Sequence, residues 1–155
     1  MMPSLFGALR LLGWSATTSI AVHMAVAVPM LALTLLCVSI HRSPRFADIL
    51  VPIATFVIMP YALSYDFGAA SVALALFIRN EEAAGRPFQA GEQRLLALAM
   101  LLPLIMIGIG ILTRVDIAPL VLVAVLLLIV NRTGTLTALQ TQLARGLRRR
   151  PDRLR

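Results

Sequence analysis

Apolar residues fill five long uncharged stretches of this chain, and short polar joints separate them. The stretches are residues 15–40, 49–63, 67–78, 95–113 and 117–131. Such runs are typical of transmembrane helices, because a bilayer core about 30 Å thick requires about 20 apolar residues per crossing. The pattern therefore predicts an all-α, polytopic transmembrane bundle of about five spans, in which the second and third spans are short and form a hairpin.

The second and third stretches belong to one apolar run, residues 49–78, which is interrupted by the heptad PYALSYD at residues 60–66. As one straight helix this run would be roughly 45 Å long, which exceeds the bilayer core. Pro60 removes a helix hydrogen bond, and an ionised Asp66 at the bilayer centre would cost about 3 kcal/mol or more. We therefore expect the chain to reverse at residues 60–66, with Asp66 at an interface or in a wet cavity.

The positions of the arginines predict which side of the membrane each end faces. If the chain crosses five times, only Arg10 and Arg114 lie on the side opposite the arginine-rich C-terminal tail. Cytoplasmic loops collect basic residues, so the tail is expected inside, with the N-terminus and residues 60–66 outside. The absence of lysine and the abundance of Ala and Leu are typical of a GC-rich bacterial genome. The predicted location is therefore a bacterial inner (plasma) membrane.

The whole chain, residues 1–155, is expected to form one membrane domain. Residues 1–14 have leucines at helical spacing and predict a helix lying on the outer interface; residues 15–131 form the transmembrane bundle. Residues 132–155 form a basic amphipathic tail that carries seven arginines and Asp152, or +6 of the net charge of +7. We expect this tail to bind anionic membrane lipid and not nucleic acid, because it has no interleaved aromatic residues and adjoins a span.

Four residues on the predicted outer side are candidates for substrate binding. Asp66 could bind a substrate hydroxyl or hold a lipid phosphate through a cation, but it could also cap the helix that starts at residue 67. Tyr61 and Tyr65 are one helical turn apart and could stack on a sugar, line a lipid groove or belong to an interfacial aromatic belt. Arg10 could bind a phosphate group or an ordinary lipid headgroup.

We also consider the expected roles of His23, Glu81 and Glu82. His23 could relay protons or could be a neutral side chain satisfied by a neighbouring helix. Glu81 and Glu82 lie in a segment of mixed charge, where we expect both to be solvated. We find no phosphate-binding loop, metal-ligand cluster or Ser/His/Asp arrangement, so the sequence predicts no metal and no cofactor.

Three stretches together carry a family resemblance: residues 3–13 (PSLFGALRLLG), the heptad at residues 60–66, and residues 95–112 with Pro103. Their order and spacing resemble the C-terminal part of bacterial glycosyltransferase family 87, polytopic enzymes of the GT-C architecture. The resemblance covers nearly all of this chain but only the last third to half of a typical family member.

The resemblance implies transfer of a hexose, with mannose expected, from a polyprenyl-phosphate sugar donor to a lipid or glycan acceptor on the outer face. In enzymes of this architecture the catalytic acid lies in the first outer loop, which this chain lacks. No catalytic residue is therefore assigned, and the chain alone is expected to be inactive without a missing N-terminal half. The alternative is a small non-enzymatic membrane protein, either a carrier subunit or an assembly partner.

Overall fold

The computed structural model describes residues 4–61, 67–113, 116–135 and 137, with side chains described outside residues 107–113. Within these ranges the regular structure is all helical, which confirms the predicted all-α class. The six helices are α1 (Leu5–Leu11), α2 (Ala16–His41), α3 (Pro44–Ile58), α4 (Phe67–Ala83), α5 (Ala90–Thr113) and α6 (Ala118–Arg132).

Local signals in the sequence set the ends of the first helices. Ser4 caps α1 by accepting a hydrogen bond from the Gly7 N–H, and α1 is followed by Gly13, whose φ of +85° suits a residue without a side chain. Ser15 caps α2 in the same way, with the Thr18 N–H as donor. The predicted interfacial helix and the predicted first apolar helix are therefore both present as helices.

Three helix boundaries differ from the prediction, in each case because helices continue into polar residues. Helix α3 begins at Pro44, a favourable first helical residue, so the joint after α2 is only residues 42 and 43. Helix α4 continues to Ala83, and at about 1.5 Å per residue it is roughly 25 Å long, not the 18 Å expected. Helix α5 begins at Ala90, within the segment predicted to be a loop.

The chain reverses direction between α3 and α4, as the heptad predicted. The start of α3 lies beside the end of α2, where the rings of His41 and Phe46 are 4.6 Å apart. The end of α3 lies beside α1, since Ser4 Oγ donates to the Pro60 carbonyl. The end of α4 returns to the first side, where Glu81 contacts Arg132. We call these two ends the Arg132 end and the Pro60 end.

Helix α3 lies at the centre of the bundle and packs against α2, α4 and α6. Its fully buried residues Leu50 and Ile53 belong to the same core cluster as Val125 and Ile129 of α6. By length and composition, α2 is the one helix among the described residues that is long and apolar enough to cross a membrane, and α6 is a shorter apolar helix.

Candidate functional site at the Pro60 end

The turn after α3 is held against α1 by a hydrogen bond. Met59 leaves the helix with an extended conformation (φ −79°, ψ 122°), because a residue before proline is disfavoured in the helical region. Ser4 is fully buried, and its hydroxyl donates to the Pro60 carbonyl at 2.6 Å while accepting the capping bond from Gly7. One serine therefore both starts α1 and fixes the position of the Pro60 turn.

Tyr61 lies in this turn and presents its ring to α1. Its ring centroid is 5.2 Å from that of Phe6 in an edge arrangement, and 61% of the residue is exposed. Tyr61 itself follows the end of α3 and lies in a turn. Tyr65 and Asp66 lie outside the described residues, so the predicted shared face of the two tyrosines and the roles of Tyr65 and Asp66 stay predictions.

Arg10 lies on α1, the helix whose Phe6 contacts Tyr61. Phe6 and Arg10 are one helical turn apart, so they occupy the same side of α1. The Arg10 side chain is exposed, and its Nη1 donates to the Trp14 carbonyl just past the end of that helix. The other guanidinium donors have no partner in the described part of the chain and are open to an anion.

A groove beside Tyr61 lies between α3 and the start of α4. Its volume is about 380 Å³, and its lining residues are Val51, Pro52, Thr55, Phe56, Met59, Tyr61 and Ala69. The Thr55 hydroxyl already donates to the Val51 carbonyl at 2.8 Å within α3. Tyr61 is the other residue of this mostly apolar lining that has a polar side chain. Such a surface suits a hydrocarbon chain that ends in a polar group.

His23 is fully buried on α2 and bonds to the end of α3. Its Nε2 lies 2.9 Å from the Ile58 carbonyl oxygen. This carbonyl is one of the last of α3, which have no partner within the helix. The expectation of a side chain bonded to a neighbouring helix is confirmed for Nε2.

The expectation of a solvated Glu81 is wrong, whereas Glu82 is exposed as expected. Glu81 lies in the last turns of α4 and is only 3% exposed. Its carboxylate accepts a bond from Arg86 at 2.6 Å and one from Arg132 at 3.2 Å. The spacing of the buried α4 residues Phe67, Ala70, Leu74 and Phe77 continues to Glu81. Helical periodicity was therefore the signal that could have identified this residue as buried.

Arg132, which the sequence assigned to the tail, is the centre of the polar contacts at the Arg132 end. It donates twice to Glu92, once to Glu81, and once each to the carbonyls of Arg86 and Pro87. These bonds use all five guanidinium N–H groups. The guanidinium carbon also lies 4.3 Å from the centroid of the Phe88 ring. One side chain thereby ties the ends of α4, α5 and α6 to the loop between α4 and α5.

The charges in this network stabilise one another. Hydrogen bonding to Arg132 lowers the pKa of Glu92, and the bond to Glu92 raises the pKa of Arg132. Two arginines face two glutamates, so the cluster is neutral overall. Such an arrangement joins helix ends, and each of its charges is already paired within the cluster and not free to bind a substrate.

The Arg132 end also contains a chain of hydroxyl contacts. His41 Nε2 lies 2.9 Å from the Thr135 hydroxyl, which in turn lies 2.9 Å from the Thr133 hydroxyl. Among the described residues, no three His, Cys, Asp or Glu side chains are grouped closely enough to hold a metal ion. Of the features with described side chains, the groove at the Pro60 end is thus the best candidate for ligand binding.

No model of a known protein family matches this chain, and neither a curated protein nor a solved structure matches it significantly. The resemblance to glycosyltransferase family 87 therefore rests on the three sequence stretches alone.

Proposed function

We propose that the chain is a polytopic membrane protein in which α2 to α6 all cross the bilayer. Large apolar side chains on the outside of four helices support this, namely Leu35, Val72, Leu104 and Leu120, which are 62% to 71% exposed. A water-soluble bundle would place polar residues at such positions. The charged residues of the described helices α2 to α6 lie near the Arg132 end, which suits a cytoplasmic membrane surface.

We further propose that the Pro60 end binds the lipid part of a polyprenyl-phosphate sugar, as in a glycosyltransferase. The observation that carries this proposal is the mostly apolar groove between α3 and α4, whose lining residues include Tyr61. An isoprenoid chain would lie in the groove, and its phosphate would lie near Tyr61 and the heptad that contains Tyr65 and Asp66. The unpaired donors of Arg10 could then bind the phosphate.

In this proposal the chain supplies donor binding and not the acid–base step of hexose transfer. No described side chain near the groove is a carboxylate, so a general base would come from another polypeptide or from residues outside the described ranges. The proposed reaction therefore needs a base that the described residues near the groove do not supply.

A binding experiment on the purified full chain in nanodiscs tests this function. We expect saturable binding of polyprenyl-phosphate mannose, weakened at least tenfold by Ala69→Trp, because the indole would fill the groove. The matched control is Ala75→Trp, which adds the same side chain to an exposed alanine elsewhere on α4. Binding that does not saturate, or that both variants weaken equally, would contradict the proposal.

The second candidate, a non-enzymatic assembly partner, is favoured by the exposed stripe Met24, Val28, Leu31 and Leu35 on α2. These residues recur at four- and three-residue steps, which is the spacing of a helix-packing seam. A photo-crosslinker at Val28 would then yield a defined protein adduct in cell membranes. Adducts to lipid alone would exclude this candidate.

A further inference from the structure

The chain turns back towards the bundle just after α6. Gly134 lies two residues past the end of α6 and has a φ of +68°, a left-handed conformation that suits glycine. The next residue, Thr135, is fully buried, and its hydroxyl lies 2.9 Å from His41 Nε2 at the end of α2. Residues 136–155, which carry six arginines and one aspartate, therefore begin close to the end of α2.

The hydroxyls around Thr135 have one consistent assignment of hydrogens. Thr133 donates its hydrogen to the Val130 carbonyl, so it can only accept from Thr135. The Thr135 hydrogen is used in that bond, and His41 Nε2 must therefore donate to Thr135. Thr135 gives one hydrogen bond and receives one, which offsets the cost of burying its hydroxyl. This contact fixes the place at which residues 136–155 begin.

Two arginines lie at the same place, the corner where α2 meets α3. Arg42 follows His41 directly, Arg45 is the second residue of α3, and both are exposed. Neither guanidinium has a partner in the described part of the chain, whereas two other arginines at this end are paired with glutamates. Asp48, the next carboxylate along the chain, is exposed as well. The corner thus has an excess of positive charge that is open to an outside partner.

The backbone of Arg42 shows that glycine would suit this position. Its φ is +45°, and the other three described residues with a positive φ are glycines, Gly13, Gly85 and Gly134. A left-handed conformation is unfavourable for a residue that has a Cβ, and helices that end in this way usually end in glycine. The backbone therefore does not explain an arginine at this position, and the guanidinium group does.

We propose that this corner, with residues 136–155 that begin beside it, binds the headgroups of anionic phospholipids. Arg42 and Arg45 would contact the phosphate, because a guanidinium group matches phosphate geometry. Charge selects the partner, since residues 136–155 add a net charge of +5 to the two arginines. Each basic residue near an anionic membrane surface raises the affinity about fivefold. The inference rests on the proposed crossing of the bilayer and is independent of the groove between α3 and α4.

Phosphatidylglycerol and phosphatidylcholine provide matched probes, because one headgroup is anionic and the other is neutral overall. The full chain is purified in micelles of a neutral detergent, and bound lipid is counted by native mass spectrometry. We expect phosphatidylglycerol to bind about fivefold or more tightly than phosphatidylcholine. Arg42→Gln and Arg45→Gln should each weaken phosphatidylglycerol binding about fivefold and leave phosphatidylcholine binding unchanged. Arg94→Gln removes the same charge from α5, which packs against α4 and α6, and should change neither affinity.

Two further positions separate lipid binding from a purely structural role. Arg42→Gly should unfold at no lower concentration of sodium dodecyl sulfate than the wild type, because glycine tolerates the left-handed conformation. It should nevertheless lose phosphatidylglycerol affinity about fivefold. Thr135→Val should weaken that affinity about twofold or more, because residues 136–155 are no longer fixed beside the corner. Thr135→Ser, which retains the hydroxyl, should bind like the wild type.

Equal affinity for the two lipids, or a phosphatidylglycerol affinity that neither Arg42→Gln nor Arg45→Gln lowers, would overturn the proposal. An equal loss in Arg94→Gln would also overturn it, because the whole end and not this corner would then attract the lipid. Displacement of the bound lipid by a short RNA at equal concentration would overturn it in favour of nucleic acid. None of these readings involves polyprenyl-phosphate mannose or the sidedness of the chain, so failure of this proposal and failure of the proposed function are distinguishable.

Discussion

Replacement of Arg132 by Gln should destabilise the bundle by about 3 kcal/mol. Loss of the bond to Glu81 accounts for most of this destabilisation, about 1.5–2 kcal/mol. The Glu81 carboxylate is only 4% exposed and would be left with Arg86 as its one remaining partner among the described residues. The pair with Glu92, which is 22% exposed, is screened by water and adds about 0.5–1 kcal/mol. The two bonds to the carbonyls of Arg86 and Pro87 add about 0.5 kcal/mol together, since water replaces them in part.

Arg132→Lys should lie between the wild type and Arg132→Gln, at about 1–2 kcal/mol, because an ammonium has three donors and cannot form the two-pronged contact with Glu92. The free energy of unfolding is measured by titrating sodium dodecyl sulfate into detergent micelles and following helix packing. Arg94→Gln is the matched control, because Arg94 is exposed on the first turns of α5. A loss below about 0.5 kcal/mol for Arg132→Gln, or an equal loss for Arg94→Gln, would refute the proposed role of the network.

Three other predictions use the same unfolding measurement. Glu81→Gln should lose about 2 kcal/mol while the neighbouring Glu82→Gln stays within about 0.5 kcal/mol, and equal effects would show that burial of Glu81 is unimportant. The pKa of Glu92 in the folded chain is lowered from 4.5. The stability that its ionised carboxylate adds is therefore complete above pH 4.5 and is lost as the pH falls through the folded-state pKa, and Glu92→Gln should remove this loss at acid pH. Burial raises the pKa of Asp116 from 3.8, so the stabilisation from its protonated form is present below pH 3.8 and is lost as the pH rises through the folded value. Asp116→Asn should therefore be more stable than the wild type at pH 7, and this gain should disappear as the pH falls below 3.8, whereas a less stable variant at pH 7 would contradict this.

The sequence predicted the order and type of the helices well, because long apolar runs and strong caps determine them locally. Ser15 and the following apolar run gave the start of α2 correctly, and Pro60 gave the reversal after α3. Helix ends were less predictable, since α4 and α5 extend into charged residues whose partners come from distant parts of the chain. Glu81 and Arg132 are 51 positions apart, and no local pattern indicates their contact.

The turn at the start of the heptad was predictable, but the surfaces around it were not. Pro60 marks the turn, and the contact of Phe6 with Tyr61 joins that turn to α1, the helix that carries Arg10. The groove between α3 and α4 could not be predicted, because its shape depends on how two helices pack. The contact of His41 with Thr135 was equally hidden, since the two residues are 94 positions apart in the chain.

The central claim is that the Pro60 end and the Arg132 end lie on opposite sides of a membrane. Single cysteines at Tyr61 and Arg86 test it, because both native side chains are more than half exposed. In a Cys37→Ser background, a membrane-impermeant maleimide added to intact cells should label Tyr61→Cys at once. It should label Arg86→Cys only after the membrane is permeabilised. Labelling of both positions from the same side would contradict the account.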